Sequence, residues 1–195
     1  LELISTLKCN EDFYCGYSPE RINPGDRNTS IATIPKITSG SNAFAASEVD
    51  KLYKEIIVAG TYLAESIEVA EAAKLIENTQ RDINIAFMNE ISIIFNRLGI
   101  DTKQVIDAAS TKWNFIPFNP GLVGGHCIGV DPYYLIHLAE KINVQSNLTK
   151  AARSLNENMS VFTANEIVRM LIANGAKVSE TTIGVLGVTF KENCP

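Results

Sequence analysis

No proline or glycine interrupts the chain between Val69 and Leu98. Within that run Ile76, Ile83, Phe87, Ile91, Ile94 and Leu98 recur at steps of seven, four, four, three and four. That spacing is the stripe of an amphipathic helix. At 1.5 Å per residue the run predicts a helix roughly 45 Å long, longer than a small domain is wide. Ile85, Met88, Ile93 and Phe95 add apolar surface off the stripe. A helix apolar on more than one side lies between domains or between subunits. Any fold for this chain has to be built along it.

Gly99 reads as the stop of this helix, and Asp101 as the start of a shorter one reaching Ala109. Upstream, Phe13–Tyr17 reads as a strand ending at Ser18-Pro19. Residues 21–30 form a loop rich in turn formers, and Lys36–Gly40 a second strand. A helix from Asn42 to Val58 follows, with Phe44, Val49, Leu52, Tyr53, Ile56 and Ile57 as its apolar positions. Leu1–Lys8 is a connector or helix end. Downstream come a helix from Pro132 to Ile142 and a long one from Leu148 to Asn174, capped by Gly175. In the latter Leu155, Met159, Phe162 and Leu171 are expected to be buried. Thr182–Val188 closes the series as a strand. The fold class is α/β overall, mostly helical, with no internal repeat.

Composition excludes several functions. The 195 residues are 46% hydrophobic with a net charge of −5, which is no basis for nucleic-acid binding. No apolar run approaches the roughly 20 residues of a membrane span. Cys9, Cys15, Cys127 and Cys194 form no CxxC pair, and with only His126 and His137 no zinc signature arises, so no metal is expected. The chain reads as a soluble, cytoplasmic protein with reduced thiols.

The chemistry concentrates in Pro120-Gly121-Leu122-Val123-Gly124-Gly125-His126-Cys127-Ile128-Gly129-Val130-Asp131-Pro132. Gly121, Gly124 and Gly125 let the backbone approach a ligand and adopt positive φ. Asp131 is expected as an N-cap, with Pro132 at the first helical position. Cys127 is then placed beside main-chain N–H groups and a helix N-terminus, which favour a thiolate nucleophile. It reads equally as a small apolar filler beside a tight turn. Lys74 and Asn78, four apart, project from one face of the long helix. An aromatic loop with Trp113, Phe115 and Phe118 precedes the glycines. It suits either covering a sugar or base, or plugging a core.

Gly16-Tyr17-Ser18-Pro19-Glu20-Arg21, Glu71-Ala72-Ala73-Lys74-Leu75-Ile76-Glu77-Asn78-Thr79 and Gly125-His126-Cys127-Ile128-Gly129-Val130-Asp131-Pro132-Tyr133-Tyr134 occur in that order. Together they resemble the UDP-glucose/GDP-mannose dehydrogenase family, and within it the enzymes acting on UDP-N-acetylhexosamines. The resemblance implies NAD-dependent oxidation of a sugar C6 alcohol to a carboxylate, in the supply of polysaccharide precursors. Cys127 is the implied nucleophile. Lys74 and Asn78 are the implied oxyanion donors, Glu20 the base for thioester hydrolysis, and Asp131 a further carboxylate of the site. Arg21, Phe115, Gly121, Gly124, Gly125 and Lys191 are the implied substrate contacts, and a homodimer through the central helices the implied assembly. UDP-glucose dehydrogenases usually carry an acid four residues after the glutamate and a lysine before the aspartate. Pro24 and Val130 stand there instead, which favours another sugar.

The family's Gly-x-Gly-x-x-Gly dinucleotide turn is nowhere in the chain, and Leu1 is not an initiator methionine. The expectation is therefore a piece of a longer enzyme, inactive alone and without the main NAD site. Residues 1–66 would be the end of the NAD-binding domain, 67–178 a helical dimerisation and catalytic domain, and 179–195 the start of a nucleotide-sugar-binding domain. Two alternatives stand beside this one: a non-catalytic helical dimerisation module, and a cysteine-nucleophile hydrolase. The latter needs a histidine or acid partner for Cys127, for which only His126 and His137 are at hand.

Overall fold

The computed structural model describes residues 2–22, 29–125 and 127–187. They fold as two compact units that divide inside one helix, between Ile76 and Glu77.

The first unit is built on a small three-stranded sheet: β1 (Gly16–Tyr17), β2 (Lys36–Gly40) and β3 (Thr61–Leu63), in the order β1-β2-β3. β2 pairs antiparallel with β1, Gly16 facing Gly40. It pairs parallel with β3, Lys36 facing Thr61 and Thr38 facing Leu63. Parallel neighbours need a crossover, and helix α1 (Ala43–Ile56) supplies it. Asn42 caps α1 by accepting from Ala45 N–H at 2.9 Å. The helix packs tightly on β2: a Cβ added at Gly40 would lie 2.3 Å from Ala46 N. The apolar core here is Ile37, Ala64 and Ala70, flanked by Tyr17 and Ala73.

The central strand buries more polar than apolar side chains, and each has a partner. Thr38 Oγ1 donates to Asp50 Oδ1 at 2.8 Å, and Ser39 Oγ to the Tyr17 carbonyl at 2.8 Å. Burial alone would push the Asp50 carboxyl up, but Lys54 at 2.6 Å and the Thr38 hydroxyl outweigh it and hold the group below its ordinary value. The unfolded chain therefore binds the Asp50 proton more readily than the folded one. Its contribution to stability is complete above the ordinary carboxylate range, about pH 4, and is lost as pH falls through the lower folded value. Asp50→Asn is expected to flatten this part of the acid limb when urea midpoints are followed from pH 7 to pH 2. An acid limb unchanged from wild type would show that Asp50 does not carry it.

The second unit is helical. Helix α2 (Ile67–Leu98, 32 residues) enters it from the first unit and ends at Gly99, φ +69°. There Ile100 N–H reaches the Phe95 carbonyl at 3.0 Å, closing the helix with a left-handed glycine. Asp101 caps α3 (Thr102–Ala109) through Gln104 N–H. An irregular stretch leads to α4 (Asp131–Lys141), and α5 (Asn147–Ala173) follows. Gly175, φ +74°, lies just past the C-terminal end of α5.

Several expectations are corrected. The strand expected over Phe13–Tyr17 is only Gly16–Tyr17, and β3 lies in a segment given no element in advance. Residues 182–187 form no strand; Ile183, Val185 and Leu186 are exposed. A strand exists by pairing, and no neighbour is present for them among the described residues. On α1, Phe44, Leu52 and Ile56 face solvent rather than a core. The largest difference lies in α2. Of its predicted stripe, Phe87, Ile94 and Leu98 are 52%, 45% and 64% exposed. The positions it buries include Asn78, Thr79, Asp82 and Asn89. On α5 the buried set is Thr149, Ala152, Arg153, Asn156 and Met159, while Leu155, Phe162 and Leu171 are only half-buried. Between the two helices, Asp82 and Asn89 of α2 bond to Arg153 and Asn156 of α5, so these polar side chains can face inward.

Candidate active site

Cys127 lies in the irregular stretch, exposed, four residues before α4. Its carbonyl accepts from Val130 N–H at 3.2 Å and Asp131 N–H at 2.9 Å. This turn starts the helix one residue earlier than expected. Val130, not Asp131, is the N-cap, and Asp131 is the first helical residue. With no capping role, the Asp131 carboxylate accepts from Asn78 Nδ2 at 2.5 Å. Two residues singled out from the sequence, fifty-three apart in the chain, thus meet in a direct hydrogen bond. Asn78 is buried, and Lys74 is half-buried one turn before it on α2. Of the loop glycines, Gly125 has positive φ (+81°). A Cβ at Gly121 or Gly124 would meet nothing within 4 Å, so these two leave open space. Phe115 and Phe118 are half-buried, whereas Trp113 stands in solvent.

The glutamate and its neighbours belong to the first unit. Glu20 Oε1 accepts from the N–H groups of Arg21 and Ile22, each at 2.7 Å. Its Oε2 accepts from Lys36 Nζ at 3.1 Å. Lys36 is 5% exposed in its side chain and Glu20 51%. Partial burial pushes the Glu20 carboxyl up, but the Ile22 N–H, Lys36 and the Arg21 N–H together hold it below its ordinary value. It is ionised at neutral pH, as a base must be. Lys36 also lies 5.4 Å from the centre of the Tyr53 ring. Sequence reasoning missed Lys36. The available signal was a lysine inside a strand otherwise reading as buried, since a buried ammonium requires a partner. The Arg21 guanidinium donates to the Pro35 carbonyl at 2.9 Å. Lys191 lies outside the described residues, as do His126 and Pro24.

Sequence reasoning also missed a buried polar cluster in the second unit. Arg153 Nη1 donates to Asp82 Oδ1 at 2.7 Å. Asn156 Nδ2 donates to the same oxygen at 2.8 Å and to the Asp82 carbonyl at 3.0 Å. Asn89 Nδ2 donates to Asn156 Oδ1 at 2.8 Å and to the Gly121 carbonyl at 3.0 Å, while Gly121 N–H donates to Asn89 Oδ1 at 2.7 Å.

The residues described do not form a dinucleotide site of the expected kind. The turn from β2 into α1, where a strand of the parallel pair feeds a helix, is closed by the helix itself. Its own backbone occupies the space beside Gly40, and the Asn42 side chain takes an N–H of its first turn. No group of residues able to hold a metal ion occurs among the described residues, nor is any helix there long and apolar enough to cross a membrane. Cys9, Cys15 and Cys127 are free thiols.

Residues 68–158 match the central domain of the UDP-glucose/GDP-mannose dehydrogenase family. The whole chain is 56% identical to a UDP-N-acetyl-D-glucosamine 6-dehydrogenase of Pseudomonas aeruginosa, covering 46% of that protein. It is 52% identical over its full length to protein CapL of Staphylococcus aureus, again covering 46%. Among solved structures, a UDP-D-ManNAc dehydrogenase from Pyrococcus horikoshii aligns with a TM-score of 0.84 at 33% identity, over 92% of this chain and 42% of that one. The chain thus spans just under half the length of these relatives.

Proposed function

Because the chain belongs to the UDP-glucose/GDP-mannose dehydrogenase family, we propose that it serves an enzyme oxidising the C6 alcohol of a UDP-N-acetylhexosamine to the carboxylate. The observation that supports this most is the Asn78–Asp131 bond, which gathers residues of the catalytic helix and of the cysteine loop into one site. In this reading residues 1–66 close the NAD-binding domain, 67–178 form the central domain, and 179–195 open the domain for the nucleotide sugar. The enzyme works in the cytoplasm.

Alcohol to carboxylate removes four electrons, so NAD, when bound to the full-length enzyme, would supply the hydride acceptor, two per sugar. The chain's own residues manage the carbon. The Cys127 thiolate adds to the C6 aldehyde, forming a C–S bond and a thiohemiacetal oxyanion. Once a hydride has left that carbon, it is a thioester. Water attacks the thioester carbonyl, the thiolate leaves, and the acid is released. Lys74 donates to the C6 oxygen throughout. An amide carries two N–H donors; Asp131 holds one of Asn78's and so orients the other toward the same oxyanion. Glu20, kept ionised, takes the proton of the attacking water. Arg21, Phe115, Gly121, Gly124, Gly125 and Lys191 contact the substrate. The test is NADH yield from UDP-N-acetylglucosamine with the full-length protein. Two NADH per sugar are expected; one, or none, overturns the reading.

The exposed stripe of Phe87, Ile94 and Leu98 supports a second role, self-association through α2 into a symmetric dimer. Burying a phenylalanine contributes about 1.5–3 kcal/mol, and a symmetric interface counts it twice. Phe87→Lys is therefore expected to weaken the dimer by at least about 100-fold in sedimentation equilibrium of the full-length protein. A wild-type protein that stays monomeric at tens of micromolar contradicts the assembly.

A further inference from the structure

We propose that Asn89 is a positioning residue for the cysteine loop, acting as the end of a buried relay that holds this loop from both sides. The inference rests on the reading of Cys127 given above. Between Ala109 and Asp131 the described residues form no helix or strand, so no ladder of backbone bonds fixes the path. Gly121 and Gly124 contribute no side chain to pack, and a Cβ at either would point into open space. The loop must take its shape from a few anchors.

One anchor lies six residues before Cys127. Asn89 is fully buried and presents both faces of its amide to Gly121, accepting its N–H at 2.7 Å and donating to its carbonyl at 3.0 Å. It does to the loop what a neighbouring strand would do. The same Nδ2 donates to Asn156, which fixes the rotation of the amide, and Asn156 is itself fixed by Asp82. The other anchor lies six residues after Cys127. The Tyr133 hydroxyl on α4 donates to Glu157 Oε1, and the Tyr133 ring lies 5.5 Å from the Arg153 guanidinium. Arg153 donates to Glu157 at 3.3 Å and to Asp82 at 2.7 Å. Both arms of the loop thus return to one ion pair, Asp82–Arg153, between α2 and α5. Cys127 lies between them, and among the described residues its backbone hydrogen bonds are those of its own turn.

The experiment uses the full-length enzyme. Asn89→Ala is expected to leave the helices folded, to speed amide hydrogen exchange across residues 121–130, and to lower kcat by far more than it raises KM, since the loop carries both Cys127 and the Gly121 substrate contact. A displacement of about 1 Å in a reacting group costs on the order of 100-fold, and a fall of that size is expected. Met159→Ala, which empties a buried site one turn beyond Asn156 and removes no side-chain hydrogen bond of the relay, is the control. It is expected to lower stability without changing exchange in the loop. Should Asn89→Ala not fold, Tyr133→Phe tests the other arm, losing only one hydroxyl at a partly exposed site; faster exchange from Cys127 into the first turn of α4 is expected. If Cys127 proves essential while Asn89→Ala keeps wild-type kcat or wild-type loop exchange, the positioning role is overturned and the reaction stands. If Cys127→Ala turns over normally, the reaction itself has been misread. If Met159→Ala loosens the loop as much as Asn89→Ala does, the effect is general destabilisation and the inference fails.

Discussion

Replacing Cys127 by alanine in the full-length enzyme is expected to abolish carboxylate formation, leaving the first hydride transfer chemically possible. The side chain is exposed, so its loss does not threaten the fold. Without a thiolate the aldehyde has no covalent adduct from which a second hydride can depart. Lys74→Ala is expected to impair both oxidations, since each passes through an oxyanion at C6; the loss of one such donor costs roughly 100- to 1000-fold in rate. Glu20→Gln separates the last step from the others, because only hydrolysis uses its basicity. Intact mass after incubation with sugar and NAD is expected to show an acyl group on Cys127 in that variant. The glutamine also leaves Lys36 buried without its carboxylate, so folding is checked by circular dichroism beforehand. A Cys127→Ala enzyme yielding two NADH per sugar at the normal rate would make the cysteine structural and end this mechanism.

The second large effect concerns stability. Asp82 and Arg153 are buried and paired, so removing Arg153 leaves a buried carboxylate without its cation, and removing Asp82 leaves the guanidinium only the more exposed Glu157. Asp82→Leu or Arg153→Met alone is expected to destabilise the second unit by about 3–5 kcal/mol, read from denaturant midpoints. The double replacement is expected to cost less than either single one, because an apolar pair carries no desolvation penalty. Among the described residues, Thr79 Oγ1, Asp82 Oδ2 and Arg153 Nε are buried without a hydrogen-bond partner from the protein. A double variant as unstable as the sum of the singles would show that the pair does not act as a unit.

The elements that the sequence reveals are those with local signals. The ends of α2, α3 and α5 are marked by Gly99, Asp101 and Gly175, and each marker acts within one turn of itself. The glycine loop and the Asp-Pro pair are legible for the same reason. β3 is three residues long, too short for alternation to show. The inward faces of α2 and α5 are legible by hydrophobic period only in part, as at Met159, because many of the side chains they bury are polar. Arg153 and Asp82 are seventy-one residues apart, and nothing near either one announces the other. Lys36 likewise finds Glu20 sixteen positions away in the sequence. At the site, Cys127, Asn78 and Asp131 stand out through motif, whereas Asn89 and Lys36 are plain until their partners are seen.

A seam lined with leucines tolerates slippage: moved along by one turn, two helices still offer each other grease. The seam between α2 and α5 has no such freedom. Asp82 accepts from Arg153 and Asn156, and Asn89 donates to Asn156, in one alignment only. Shifted by a turn, about 5.4 Å, each donor faces the wrong neighbour and several buried groups go unanswered. Hydrophobic cores accept many sequences of the right volume. This one accepts few, because it works as an index mark that allows a single setting.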